Sequence, residues 1–88
     1  MITKTSVIQN KAGLHARPAA SFTQTASKYQ STITLQKGEK TINPKSILMV
    51  LSLGITQGSE VTITAEGPDE AAAIQALVEL IESKFGEE

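Results

Sequence analysis

The chain has 88 residues, 40% of them hydrophobic, with no cysteine, one histidine and a formal net charge of −1. A domain typically has about 50–250 residues, so we expect one domain over residues 1–88 with an ordinary globular core. The composition excludes disulfides, thiolate metal sites and histidine-rich metal centres, and the net charge argues against a strong nucleic-acid binder.

The first half of the chain predicts a strand, a helix and a hairpin. Residues 2–8 are rich in threonine, valine and isoleucine, which favour strands. A helix should begin near Ala16, with Pro18 in its first turn. Residues 32–37 alternate apolar and polar side chains and should pair with residues 40–43 as a hairpin. The predicted buried face of the helix consists of Ala19, Phe22, Ala26 and Tyr29.

A short helix follows, from about Ser46 to Leu53, with Ser46 as its N-cap and Gly54 just beyond its end. It is too apolar for a two-turn helix with one buried side. Either the helix is deeply buried, or some of its side chains are exposed and form a docking patch. The apolar residues in question are Ile47, Leu48, Met49, Val50, Leu51, Leu53 and Ile55.

The chain closes with an alternating strand and a strongly amphipathic helix. Residues 60–66 alternate apolar and polar side chains. The helix has Pro68, Asp69 and Glu70 in its first turn, where negative charge is favourable, and Gly86 should end it. Its apolar stripe consists of Ile74, Leu77, Val78, Ile81 and Phe85.

The element order is therefore β-α-β-β-α-β-α. Strands with one apolar face indicate an antiparallel sheet that helices cover on one side, which is a two-layer α+β domain. The opposite, threonine- and glutamine-rich face should be solvated.

His15 is the main candidate for chemistry because it lies at the predicted start of the first helix. A helix N-terminus offers unpaired backbone N–H groups and partial positive charge, both of which favour an anion. Arg17 adds a guanidinium suited to phosphate, and Ala16, Arg17 and Pro18 would form the phosphate-cradling helix start. A neutral imidazole can attack phosphorus, and the sequence has no Walker-type loop or catalytic triad. These features favour a group carrier over a complete enzyme; otherwise, His15 is an ordinary helix-start residue.

Two further features have both a purely structural and a functional interpretation. Ser46 is either an N-cap alone or also a phosphorylation site, since phosphate at a helix N-terminus is favourable. Residues 1–59 have seven basic side chains and one acidic, whereas residues 60–88 have one basic and eight acidic. This division suits an acidic partner or a phosphate, or merely reflects an acidic helix face and scattered lysines.

Two motifs resemble those of HPr, the histidine-containing phosphocarrier family of the bacterial phosphoenolpyruvate:sugar phosphotransferase system. The segment at residues 13–20, GLHARPAA, is similar to the family's active-site segment. The segments at residues 45–47, KSI, and 52–55, SLGI, resemble the region around its regulatory serine. The tail VTITAEG at 61–67 also matches, and the resemblance covers the whole chain.

The resemblance implies an open-faced β-sandwich with strand order 1-4-2-3 and three helices on one face. His15 would accept a phosphoryl group on Nδ1 from phosphorylated enzyme I and pass it to a histidine of the enzyme IIA components. Arg17 would stabilise the phosphohistidine, and Ile47, Leu48 and Leu51 would dock both partners. The phosphoryl group is carried covalently, so no cofactor and no metal are expected.

The resemblance also implies regulation. Ser46 would be phosphorylated by HPr kinase/phosphorylase in bacteria that have that enzyme. This modification would lower acceptance at His15 and promote binding to a catabolite-control transcription regulator. Four residues depart from the family's usual pattern. Ala12 brings no polar group to the site, Met49 enlarges the apolar patch, and Leu48 and Leu51 replace residues that are often methionine, or phenylalanine and glutamine.

The leading hypothesis is therefore a cytoplasmic, monomeric phosphocarrier that does not bind nucleic acid directly. We also expect it not to enter the membrane, since no apolar run approaches the ~20 residues of a membrane span. The main alternative is a regulatory interaction module that acts through Ser46 phosphorylation. A nitrogen-branch phosphocarrier would share the chemistry with different partners. A small ligand- or RNA-binding domain is disfavoured by the 3% aromatic content.

Overall fold

A computed structural model describes residues 1–11 and 13–86. Ala12, Glu87 and Glu88 lie outside the described residues, and with them the expected lack of a polar group at Ala12. The elements follow the predicted order. They are β1 (Ile2–Val7), α1 (Ala16–Ser27), β2 (Thr32–Lys37), β3 (Lys40–Ile42), α2 (Ile47–Ser52), β4 (Glu60–Glu66), α3 (Glu70–Glu82) and a 3₁₀ turn (Lys84–Gly86).

The four strands form one antiparallel sheet in the order β1-β4-β2-β3. The predicted α+β fold and strand order are confirmed. Thr64 of β4 lies between Thr3 of β1 and Thr34 of β2 in the register. On this open face the hydroxyls of Thr3 and Thr64 lie 3.2 Å apart in an exposed hydrogen bond. The face opposite the helices is thus polar, as predicted.

The core lies between the other face of the sheet and the helices. Phe22 of α1 is completely buried, and burying a side chain of this kind stabilises a fold by about 1.5–3 kcal/mol. Val50 anchors α2 to the same core. Other large, almost fully buried core residues are Ile8, Ile33, Leu35, Val61, Ile63, Leu77 and Ile81.

The last helix is shorter than predicted. It ends at Glu82 with Ser83 as its C-cap, before the predicted stop at Gly86. Lys84 and Phe85 both have φ of 58°, a left-handed conformation that ends an α-helix. Phe85 nevertheless packs into the core. It therefore matches the spacing of the apolar stripe although it does not belong to the helix.

Two other boundaries also differ. Tyr29 lies beyond α1, which ends at Ser27 with Lys28 as its C-cap, and it is only half-buried. Pro68 precedes α3, whose N-cap is Asp69. The Asp69 carboxylate accepts hydrogen bonds from the backbone N–H groups of Gln30 and Ser31, and these bonds hold the chain after α1 in a non-helical path.

Candidate functional site

His15 is the N-cap of α1. Its backbone is extended, with φ −93° and ψ −158°, and its carbonyl accepts the first helical hydrogen bond, from Ala19 N at 2.8 Å. The imidazole makes no capping hydrogen bond, and the residue is exposed. The exposed imidazole of His15 therefore lies at the positive end of a twelve-residue helix.

The first turn of α1 is arranged to receive an anion. Ala16 and Arg17 are exposed, and their backbone N–H groups lie in the first turn, where a helix provides no acceptor. Pro18 is buried and has no N–H, so its missing donor leaves nothing unpaired. No acidic residue lies in this turn. A phosphate on His15 would meet backbone N–H groups and the Arg17 guanidinium without a competing carboxylate on α1.

The loop before His15 rests on the segment that follows α2. Leu14 N donates to the carbonyl of Ile55 at 3.0 Å, and the Leu14 side chain is buried. Gly13 has φ +65°, a conformation that favours glycine. Its carbonyl accepts from Asn10 Nδ2 at 2.8 Å, and its N–H donates to Asn10 O at 3.1 Å. His15 is thus carried by a loop that hydrogen bonds hold on both sides.

Ser46 is the N-cap of α2, as predicted. Its hydroxyl accepts a long hydrogen bond, 3.5 Å, from Met49 N, and the residue is partly exposed. Lys45, just before it, is held in place by bonds from its Nζ to the carbonyls of Tyr29 and Ser31. Ser46 is therefore partly exposed while its hydroxyl caps a six-residue helix.

The short helix is buried on one side only. Val50 is completely buried, whereas Leu48 is 76% exposed and Met49 43%. We define the apolar patch as Ile47, Leu48, Met49 and Leu51, all of them exposed. Helix α2 packs against α1, and Ile55 beyond it contacts the loop before His15. The patch and His15 are therefore on neighbouring elements.

Two lysines next to the patch were not predicted as site residues. Lys37 Nζ donates to Gly54 O at 3.1 Å, and Lys40 Nζ to Ser52 O at 3.4 Å. Both bind carbonyls at the C-terminal end of α2, where the helix dipole favours cations. They bring positive charge from the β2–β3 hairpin to the edge of the patch, and nothing in their sequence spacing indicated this tertiary contact.

The remaining surface offers less. A groove between β1 and α3, lined by Ile2, Lys4, Ile74 and Val78 among others, contains none of the predicted site residues. Within residues 1–11 and 13–86, no three histidine or acidic side chains are grouped as metal ligands are. None of the helices described is long and apolar enough to span a bilayer.

Comparison with known proteins gives close relatives over the whole chain. The family described as "PTS HPr component phosphorylation site" matches residues 2–83. The phosphocarrier protein HPr of Treponema pallidum (strain Nichols) is 44% identical over 88 residues, 100% of both chains. The crystal structure of HPr-C-His from Thermoanaerobacter tengcongensis is 59% identical, with a TM-score of 0.97 over 100% of this chain and 99% of that one. The crystal structure of the Bacillus subtilis catabolite repression containing protein Crh, a domain-swapped dimer, is 38% identical, with a TM-score of 0.75 over 94% and 95% of the two chains.

Proposed function

The chain belongs to the HPr family of the phosphotransferase system, and from this premise we propose that it carries a phosphoryl group on His15. The observation that carries the proposal is the exposed imidazole at the N-cap of α1, which makes no capping hydrogen bond and belongs to a helix with no carboxylate in its first turn. Enzyme I, itself phosphorylated by phosphoenolpyruvate, is the proposed donor. A histidine of a sugar-specific enzyme IIA component is the proposed acceptor.

The transfer requires no net movement of a proton. The Nδ1 lone pair of neutral His15 attacks the phosphorus of the donor's phosphohistidine, and a new P–N bond forms as the old one breaks. The donor imidazole, whose other ring nitrogen carries a proton, leaves with the electron pair of the broken bond and is neutral. His15 keeps its proton on Nε2 throughout. The same exchange, with His15 as the leaving imidazole, passes the group to enzyme IIA.

The rest of the site stabilises the phosphoryl group and its transfer. The negative oxygens of the phosphoryl group would accept hydrogen bonds from the backbone N–H groups of Ala16 and Arg17 and from the Arg17 guanidinium. The chain supplies no ATP-binding loop, so partners must bring both the phosphoryl group and its acceptor. We therefore assign the protein a role as a carrier between other proteins.

Partner docking is assigned to the apolar patch. Ile47, Leu48 and Leu51 expose apolar surface on α2, next to the loop that holds His15. An exposed apolar cluster with a cationic border is typical of protein interfaces. The border consists of the two lysines bound to the end of α2, and Arg17 adds positive charge on the neighbouring helix α1, so the partners should present acidic groups around an apolar centre.

A second role, regulation through Ser46, is supported by the likeness to Crh, whose name refers to catabolite repression. Phosphate on Ser46 would sit at the N-terminus of α2, where the helix dipole favours it. It would also place a dianion beside the apolar patch and repel acidic partner groups. HPr kinase/phosphorylase would phosphorylate Ser46, and a catabolite-control transcription regulator would bind the phosphorylated protein.

The carrier role is tested by a complete relay. The protein is incubated with phosphoenolpyruvate, Mg²⁺ and enzyme I, and then a purified enzyme IIA component is added. We expect the phosphoryl group to appear first on this protein and then on enzyme IIA. ATP-dependent, acid-stable labelling of Ser46 by the kinase, without any relay, would favour the regulatory role instead.

A further inference from the structure

The loop that carries His15 is seated directly on backbone atoms of the segment after α2. The Leu14 N–H donates to Ile55 O, so the residue before His15 is tied to that segment. Asn10, fully buried, holds the other side of the loop through its side-chain amide and the Gly13 carbonyl. The position of the imidazole therefore depends on how closely this loop approaches residues 55 and 56.

The close approach requires that residue 13 have no side chain. A Cβ placed on Gly13 would lie 2.5 Å from Ile55 O and 2.7 Å from Thr56 Cα. Both are backbone atoms, so no side-chain rotation relieves the contact. Any larger residue at position 13 must move either the His15 loop or the segment after α2.

We propose that Gly13 is a positioning residue for phosphoryl transfer: its bare backbone lets the loop sit against Ile55 and Thr56, and this seat sets the orientation of the His15 imidazole toward the helix start. The inference rests on the proposed function of His15 and adds a residue that does not touch the phosphoryl group. Displacing a reacting group by about 1 Å can slow an enzyme about 100-fold, so a small shift of the loop is enough to matter.

Gly38 provides a matched control for the substitution. It also has positive φ, +62°, so an alanine there experiences the same backbone strain. It lies in the β2–β3 turn, and a Cβ on Gly38 would meet nothing within 4 Å. Gly13→Ala and Gly38→Ala therefore differ in the clash with Ile55 and Thr56 rather than in the backbone conformation they strain.

The kinetic arm measures transfer from phosphorylated enzyme I to each variant. We expect Gly13→Ala to lower kcat by at least about tenfold and to change KM by less than about threefold, because residue 13 is not one of the residues of the docking surface. Gly38→Ala should behave as the wild type. Equal kcat values for the two variants would overturn the proposal, and so would a loss confined to KM.

A second arm does not depend on phosphoryl transfer. NMR spectra of the unphosphorylated proteins report the His15 ring resonances and the hydrogen exchange of the Leu14 amide. We expect Gly13→Ala to shift the ring resonances and accelerate Leu14 exchange, with neither change in Gly38→Ala. Unchanged spectra would overturn the positioning role even if the relay works. A wild-type protein that accepts no phosphoryl group would refute the proposed function, whereas the spectra would still decide the question of positioning.

If circular dichroism shows that Gly13→Ala does not fold, Asn10→Ala provides the second variant. It removes the hydrogen bond from the side-chain amide of Asn10 to the Gly13 carbonyl and adds no atom that could clash. We expect the same pattern, a lower kcat, a stable KM and faster Leu14 exchange. A folded Asn10→Ala protein with wild-type kcat and exchange would contradict the proposal.

Discussion

Asp69, at the N-cap of α3, binds Ser31, which lies 38 residues earlier in the chain. One carboxylate oxygen accepts from both the backbone N–H and the hydroxyl of Ser31, and the other accepts from Gln30 N at 2.9 Å. Ser31 is buried, so the bond closes the junction between α1 and β2 against the start of α3. The side chain that the sequence assigned to a helix dipole thus joins two distant parts of the fold.

This relationship predicts how stability changes with pH. The Ser31 hydroxyl, together with the Gln30 and Ser31 N–H groups, lowers the pKa of Asp69 below its ordinary value of 3.8. A carboxyl with a lowered folded-state pKa stabilises the fold above its unfolded pKa, and this stabilisation is lost as pH falls through the folded pKa. Urea unfolding of the wild type and Asp69→Asn should therefore differ most near neutral pH and converge in acid. Parallel stability curves down to pH 2 would contradict this assignment.

Arg17 should contribute to transfer and not to folding. Its side chain is exposed, so Arg17→Ala should change the free energy of unfolding by less than about 0.5 kcal/mol. Hydrogen bonds to charged groups contribute about 1.5–3 kcal/mol, so the transfer rate should fall about tenfold or more. Arg17→Lys is the control, with charge but no planar fork, and should be intermediate. Rapid-quench kinetics with phosphorylated enzyme I measure the rates; identical rates in all three proteins would remove Arg17 from the mechanism.

Two substitutions of Ser46 separate the effect of a negative charge at this position from the effect of the helix cap. Aspartate is a good N-cap, so Ser46→Asp should keep stability while its negative charge slows acceptance from enzyme I. Alanine cannot cap, so Ser46→Ala should lose about 1 kcal/mol of stability yet accept phosphoryl groups at the wild-type rate. Thermal unfolding and the enzyme I assay are run on both. Equally fast acceptance by Ser46→Asp would rule out the regulatory role.

The apolar patch should govern recognition by enzyme I. Leu48 is its most exposed member, so Leu48→Ala should leave stability almost unchanged and raise KM several-fold, as truncation of an interface residue can cost more than 1 kcal/mol. Val7 is also an exposed apolar residue but lies in β1, so Val7→Ala should not change KM. The two variants are compared by steady-state kinetics. A similar KM for both would exclude Leu48 from the interface.

The alternation and apolar spacing of the sequence predict the elements well, because each strand and helix buries one periodic face. Ser46 is predicted as an N-cap for an equally local reason, because serine is favoured immediately before the first turn of a helix. Phe85 misleads, since it matches the apolar stripe of α3 but reaches the core from a left-handed turn after the helix. Spacing alone cannot distinguish a helical residue from one that a turn places on the same side.

The parts of the site that depend on tertiary contacts could not be predicted. His15 and Arg17 are assigned from the helix start and the family resemblance, but the seat of their loop on Ile55 joins segments 41 residues apart. Asn10 and Gly13 do leave a local signal, because asparagine and glycine are favoured at the first and last positions of a β-turn. The bonds of Lys37 and Lys40 to the end of α2 leave none.

The most direct test is the intact mass of the protein after incubation with phosphoenolpyruvate, Mg²⁺ and enzyme I, compared with His15→Ala. Because His15 is exposed, the variant should fold like the wild type, as checked by circular dichroism. We predict one added phosphoryl group on the wild type, lost on mild acid treatment, and none on His15→Ala. Full acceptance by the folded variant, or an acid-stable group on the wild type, would contradict the assignment of His15 as the phosphoryl carrier.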